Sequence, residues 1–408
     1  MAGFFKNKIV IIPASVLIVI IVILFAGYSG KISDSVNGNL SDNQQNGGLK
    51  DIDYSGFGCE PYNKMHGYST FDILGRYYFK YFDSINYGMG TVFYNPENNM
   101  FEMFCMDKGC LHIDSECLLN VSLSYEIGYG DEIYGVDVTN SRKEILRIKN
   151  GTLTCVYKAE SDIHELWGYN SYLYFNTGDG LYRTGLPDCD TTEKIMDEPV
   201  GYFYLNFDEE KMYFIDELYN LYCANHDGSD KKLLFDNLVT SPQLTEDRIY
   251  FRSNWTEEDG SRNLYLYSIK KDGSDFRLEI EEQIWRYSIY NGGIYYTTVP
   301  TEDLFINGFY CGLSTNLYYL DPATGEIVEL VKDVNGEYII CNDCGKIIVE
   351  MCGEDYLNEY LDVYLEDFLE ANPEAEPTML EISGYAYYSI NYDGSGLSRI
   401  NYSEGLFQ

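Results

Sequence analysis

The chain has 408 residues, 45% of them hydrophobic, and a formal net charge of −37 at pH 7. That supplies a core for one large repeat domain or two or three average ones, while so negative a surface repels phosphate backbones and argues against nucleic acid as a partner. Aromatics reach 16%, with 41 Tyr against 3 Trp, and only 10 Pro accompany 37 Gly; this favours half-buried strands and excludes collagen-like or low-complexity chains.

The N-terminal segment comes first in chain order. Ile9 to Ala26 form an apolar run whose only polar breaks are Pro13 and Ser15. It is long enough to cross a hydrocarbon core of about 30 Å. Lys6 and Lys8 precede it and no basic cluster follows, so positive charge stays on the cytoplasmic side. A cleaved signal peptide is the competing reading, but Ala26-Gly27-Tyr28-Ser29 matches a cleavage site poorly and no Cys follows Gly27 to carry a lipid. The expectation is a cytoplasmic segment over 1–8, a transmembrane signal-anchor over 9–27 and everything beyond on the outer side of a cell membrane. Residues 31–50 are rich in Ser, Asn, Asp, Gln and Gly. They cannot bury enough surface to offset ordering entropy and read as a flexible linker.

From residue 51 a pattern recurs: an aromatic strand, a variable loop, a second Tyr-rich strand, a tight turn and a third strand. Early copies start at Arg76-Tyr77-Tyr78-Phe79, Glu132-Ile133-Tyr134 and Tyr172-Leu173-Tyr174-Phe175. Clearer ones start at Lys211-Met212-Tyr213-Phe214, Arg248-Ile249-Tyr250-Phe251 and Gly293-Ile294-Tyr295-Tyr296. The last is read from Gly384-Tyr385-Ala386-Tyr387-Tyr388. Turns fall near 96, 150, 188, 227, 272, 323 and 393. Alternating Tyr and aliphatic residues give one apolar face every second position. Asp-Gly supplies the positive φ of a tight hairpin. A single such sheet cannot cover itself, so the copies must stack, and repeats of this size with several short strands are propeller blades. The expected class is all-β: a β-propeller of about seven blades (six to eight) over 51–408, preceded by one transmembrane helix. A β-sandwich and a β-solenoid are the alternatives.

The Ile249-Tyr250-Phe251, Leu264-Tyr265 and Asp272-Gly273-Ser274-Asp275 cadence is similar to that of the YWTD-type propellers of low-density-lipoprotein receptors. It resembles most a bacterial surface family of low-density-lipoprotein-receptor-related-protein-1-like β-propellers, over about residues 65–405. The resemblance implies fold and is nearly silent on activity. The aromatic strand reads Ile-Tyr-Phe rather than Tyr-Trp-Thr-Asp, so receptor-type ligands do not carry over.

Hairpins of an antiparallel blade open alternately to two faces. The Asp-Gly turns are short, whereas the preceding loops grow at Ser253–Arg262, Val299–Thr315 and Cys352–Glu381. Insertions should therefore share one face, where propellers bind. In the longest, Leu357, Tyr360, Leu361, Tyr364, Leu365 and Phe368 recur at helical spacing and Asn372-Pro373 stops them, which predicts a helical insertion near 354–370.

Eleven Cys cannot all pair within the chain. Cys105, Cys110, His112 and Cys117 lie close enough in sequence to close a structural zinc site, or two of the thiols to form a disulfide outside the membrane. Cys341, Cys344 and Cys352 lack a fourth local ligand, so a disulfide or free thiols is the expectation there. His226 reads as turn chemistry. There is no G-x-S-x-G elbow, H-E-x-x-H helix, phosphate-cradling Gly loop or dinucleotide fingerprint. The balance favours a binding module for a protein, peptide or cell-wall glycan; a hydrolase or lyase on the same scaffold, and the sensor ectodomain of a membrane complex, are the alternatives.

Overall fold

The computed structural model describes residues 72–402 except 74–75, 84–87, 104–122, 139–141, 199, 201–204, 209, 237, 257–261, 342–343, 381 and 383–384. The chain divides into two units, Met1–Gly47 and Gly48–Gln408, and every described residue belongs to the second. The anchor at 9–27 and the linker at 31–50 lie outside the described residues.

Strands follow one another in groups of four, each paired antiparallel with the next. The first group is β1–β4 (Asp72–Ile73, Arg76–Asp83, Gly88–Asn95, Met100–Met103) and the second β5–β8 (Leu123–Tyr129, Glu132–Asp137, Glu144–Lys149, Thr152–Lys158). The third is β9–β12 (Ile163–Tyr169, Tyr172–Thr177, Gly180–Gly185, Thr192–Met196) and the fourth β13–β16 (Leu205–Phe207, Lys211–Ile215, Leu221–Asn225, Lys232–Phe235). The fifth is β17–β20 (Val239–Leu244, Arg248–Thr256, Arg262–Lys270, Arg277–Ile280).

The last two groups share a strand. β21 (Ile284–Tyr290), β22 (Gly293–Thr298), β24 (Phe309–Asp321) and the first half of β25 (Glu326–Cys341) form the sixth unit, with β23 (Glu302–Ile306) folded onto β24. The second half of β25, then β26 (Lys346–Met351), β27 (Ala386–Asn391) and β28 (Ser398–Arg399) form the seventh. Val334 is the crossing point, paired with Thr315 of the sixth unit and Met351 of the seventh. Positive φ at Asp333 (59°) and Gly336 (98°) turns the strand there. The final unit therefore differs from its sequence reading: its second strand is β26, and the Tyr387-Tyr388 stretch is the third strand, beyond the insertion.

Burial grades across each sheet. β6 and β22 are buried on both faces apart from one end residue of β22, whereas β8 and β12 are largely exposed. Simple alternation, as in a sheet with one wet face, fails in the second strands because a neighbouring sheet covers each side. Six apolar clusters join consecutive units: second to third, third to fourth, fourth to fifth, fifth to sixth, sixth to seventh, and seventh back to first. In that last cluster Tyr94 and Phe101 pack on Cys341, Ile348, Tyr387 and Ile400. β29 (Asn401–Tyr402) then pairs parallel with β4, bringing the end of the described chain to the outer edge of the first sheet. A sandwich or a solenoid has no reason to bring its last sheet to its first, so this closure decides for a ring.

The Asp-Gly turns repeat one geometry. Asp227 Oδ1 accepts from Ser229 N (3.0 Å) and Ser229 Oγ (2.6 Å), and Gly228 N donates to Asn225 O at 2.9 Å. Asp272 and Asp393 accept likewise from Ser274 N (2.8 Å) and Ser395 N (2.9 Å). Gly228 has φ +80°, and a Cβ there would stand 2.1 Å from Ile195 O on the preceding unit's outer strand. Glycine is thus required twice, by the turn and by the neighbour.

α1 (Glu354–Ala371) lies between β26 and β27, where the spacing predicts a helix over 354–370. Tyr356, Leu357 and Tyr360 bury its inner face, and Asn372 N closes the last turn on Phe368 O. Glu354 and Asp355 favour the positive N-terminal end of the helix dipole. Tyr388 donates to Asp355, and Arg399 pairs with Glu359 and Asp355. Among the described residues no helix is long and apolar enough to cross a membrane.

Candidate functional site

Within each unit the loops joining first to second strand and third to fourth open on one face, and those joining second to third open on the other with the links between units. The insertions β23 and α1 both join a second strand to a third, so they share the second face. On that face, the first strands of the sixth and seventh units, together with β26, bring five side chains together.

Trp285 and Arg286 come from β21, Asn335 and Glu337 from the second half of β25, and Glu350 from β26. Trp285 Nε1 donates to Glu337 Oε1 at 2.8 Å, and Arg286 Nη2 to Glu337 Oε2 at 2.6 Å. Asn335 Nδ2 donates to Glu350 Oε2 at 2.8 Å, while its Oδ1 accepts from Glu337 N at 2.9 Å. Arg252, from the second strand of the fifth unit, donates to Ile284 O, Trp285 O and Ser241 Oγ, fixing the start of β21 from behind. Gly336 makes room for the indole: a Cβ there would stand 2.8 Å from Trp285 Cδ1.

Two properties set this cluster apart. Trp285 is 39% exposed although its N–H is tied down, so a flat aromatic face is held in place at the surface. Arg286 is only 7% exposed, and its Nε and Nη1 have no hydrogen-bond partner among the described residues. Buried guanidinium N–H groups are ordinarily satisfied. Burial pushes the Glu350 carboxyl above the usual carboxylate range and the nearby Glu337 carboxylate adds to this, against Asn335, Tyr387 and Arg286. Glu350 as a whole keeps some surface, but its carboxyl is enclosed, and enclosure decides its protonation.

The arrangement can stack a ring or sugar face on Trp285 and supply carboxylate acceptors and guanidinium donors beside it. Sequence reading missed it because carboxylates are everywhere in this chain. The available signal was Arg286, a cation set among apolar residues of an inner strand.

Cys105, Cys110, His112 and Cys117 lie outside the described residues. Among the described residues no group of three His, Cys, Asp or Glu could hold a metal ion. Cys352 is not a neighbour of Cys341 and Cys344: β26 separates them, about 20 Å of extended chain. His226 does more than shape a turn. Its Nε2 lies 2.9 Å from Asp208 O and its ring packs edge-on against Tyr169 and Phe207, joining the third and fourth units.

Among the described residues, four-stranded antiparallel units follow one another seven times, with apolar clusters joining the second through the seventh and the seventh back to the first, and this defines a β-propeller. No family model matches the chain, and no curated protein matches it. Among solved structures, an oligogalacturonate lyase in complex with manganese is 11% identical with TM-score 0.46, covering 84% of this chain and 88% of that one. The β-propeller domain of the Trilobed protease from Pyrococcus furiosus is 12% identical with TM-score 0.46, covering 85% and 96%. An oligogalacturonate lyase from Vibrio parahaemolyticus is 10% identical with TM-score 0.42, covering 81% and 86%. Likenesses this distant add nothing to the strand pairing and ring closure, on which the class rests.

Proposed function

We propose that this chain is a membrane-anchored extracellular β-propeller that binds a protein, peptide or glycan at its insertion-bearing face. The observation that carries the binding reading is Trp285, exposed yet fixed by Glu337, with Arg286 buried beside it. A rigid aromatic platform loses little entropy on contact. Phe305 on β23 (60% exposed) and Met379 after α1 (62%) add apolar contact surface on the same insertions. Support for the anchor is the apolar run Ile9–Ala26 behind Lys6 and Lys8. The low-density-lipoprotein-receptor-related-protein-1-like resemblance belongs to this proposal, as does a structural zinc held by Cys105, Cys110, His112 and Cys117.

The test is binding of the full chain, in detergent, to glycan arrays, peptide libraries and cell-wall fractions. The expected result is a ligand whose affinity falls at least tenfold, about 1.4 kcal/mol, in both Trp285→Ala and Arg286→Gln. A panel without a binder, or binding indifferent to both substitutions, would sink the reading.

A second reading, an extracellular hydrolase or lyase, is favoured by one observation. Glu350, biased toward its protonated form, lies near Glu337, which is ion-paired to Arg286; two carboxyls in unlike environments can divide acid and base roles. Turnover of a glycan or peptide that disappears in Glu350→Gln would establish it.

A further inference from the structure

Two cysteines from different insertions meet at the root of α1. Cys311 lies in β24, near the turn of the β23–β24 hairpin, and Cys352 directly follows β26; each is 1% exposed. Met351 pairs with Ala386, which sets Cys352 opposite Tyr385. The Tyr385 hydroxyl in turn lies against Gly312, 3.1 Å from where a Cβ would stand, beside Cys311. Ile382 N donates to Tyr310 O at 3.1 Å, fastening the return of the insertion onto the same stretch of β24. Both cysteines belong to one buried apolar cluster with Tyr356, Leu357 and Ile382, and neither is in a disulfide.

We propose that Cys311 and Cys352 form a disulfide under oxidising conditions, stapling the hairpin of the sixth unit to the root of the seventh unit's helix. Thiols buried in one cluster, at the junction of two segments joined by a backbone hydrogen bond, need little chain movement to reach disulfide geometry. The bond closes a loop of about 40 residues that contains the crossing strand β25 and so restricts the unfolded chain.

The chemistry balances with a small-molecule disulfide such as oxidised glutathione. The Cys311 thiolate attacks one glutathione sulfur, the glutathione S–S bond breaks, and one glutathione thiolate leaves. The Cys352 thiolate then attacks the Cys311 sulfur and expels the second. Two protein thiols are oxidised, one glutathione disulfide is reduced, and the two cysteine protons pass to the departing thiolates. The order follows from the local field: the Cys352 side chain lowers the Cys311 thiol, while Cys352 itself is pushed well up.

The staple is independent of which ligand the face binds. The test takes the full chain, oxidised with glutathione both as the native protein and during refolding from urea. Free thiols are then blocked with maleimide under denaturing conditions and the chain is digested without reductant. The expected product is a cross-linked peptide pair containing Cys311 and Cys352. In Cys311→Ser, Cys352 should be recovered as a labelled thiol. Oxidation should also slow amide exchange in 354–371 several-fold, an effect absent in Cys311→Ser. Maleimide on both cysteines in both preparations, or Cys352 cross-linked to Cys344 instead, would overturn the proposal.

Discussion

Ser389 Oγ donates to Asn99 Oδ1 at 2.7 Å, tying the seventh unit to the first across 290 residues. The same Asn99 oxygen accepts from Tyr94 OH at 3.0 Å, and its Nδ2 donates to Arg399 O at 3.0 Å and Ser398 Oγ at 3.3 Å. Its φ of 54° is one that asparagine tolerates better than most residues. Asn99→Ala should therefore cost about 1–3 kcal/mol, from seam groups left unsatisfied and a strained backbone. Urea unfolding monitored by tyrosine fluorescence would show it. Asn99→Gly, which relieves the backbone alone, should recover only part of the loss.

Gly336→Ala should displace the Trp285 ring. The residue has φ +98°, and the new methyl would stand 2.8 Å from Trp285 Cδ1 and 3.1 Å from Pro300 Cγ. The expected outcome is a shifted tryptophan emission spectrum together with weakened ligand binding. An unchanged spectrum would mean that the indole is not held against this backbone.

Glu350 gives a pH signature. Its folded carboxyl is raised by burial above its unfolded value, so the native state holds the proton more tightly. That contribution is fully present below the unfolded glutamate range and is lost as pH rises through the folded value. Stability should thus fall with rising pH across that window, and Glu350→Gln should flatten the dependence and raise stability at neutral pH. Thermal unfolding of both proteins between acid and neutral pH measures the slope; parallel curves would refute the assignment.

At the helix root, Tyr388→Phe removes the donor to Asp355 while keeping the ring. The expected cost is about 0.5–1.5 kcal/mol, seen as faster amide exchange in the first turns of α1 and little change in the fifth unit.

The Cys105–Cys117 segment separates two chemistries by one measurement. A zinc site predicts about one equivalent of metal per chain, released by a chelator and lost in Cys110→Ser. A local disulfide predicts no metal and a cross-link that reductant opens.

The repeat was legible because its punctuation is chemical: Asp227-Gly228, Asp272-Gly273 and Asp393-Gly394 each build the same hairpin. The helix at Glu354–Ala371 was legible for a similar reason, since Leu357, Tyr360 and Leu361 share a face. What escaped was written in no local pattern. β25 carries Asp333-Val334-Asn335-Gly336, residues that read locally as a hairpin turn, yet the strand only bends there and runs on into a second sheet. The second strand of the last unit, Lys346–Met351, carries no aromatic pair, whereas Tyr387-Tyr388 in the third strand imitates the second-strand pattern of the other units. The meeting of Trp285, Arg286, Glu337 and Glu350 depends on how inner strands align, and so does the burial of Cys311 and Cys352 in one cluster. Proximity in sequence instead grouped Cys352 with Cys341 and Cys344.

Because β25 belongs to two sheets without interruption, the sixth and seventh units are not interchangeable modules in the way the others are. New termini opened between β16 and β17, or between β20 and β21, leave every sheet whole. Termini opened at Val334 would cut a strand that two sheets hold in common. Circular permutants should divide along that line, and a gene built by copying single units would need its junction elsewhere.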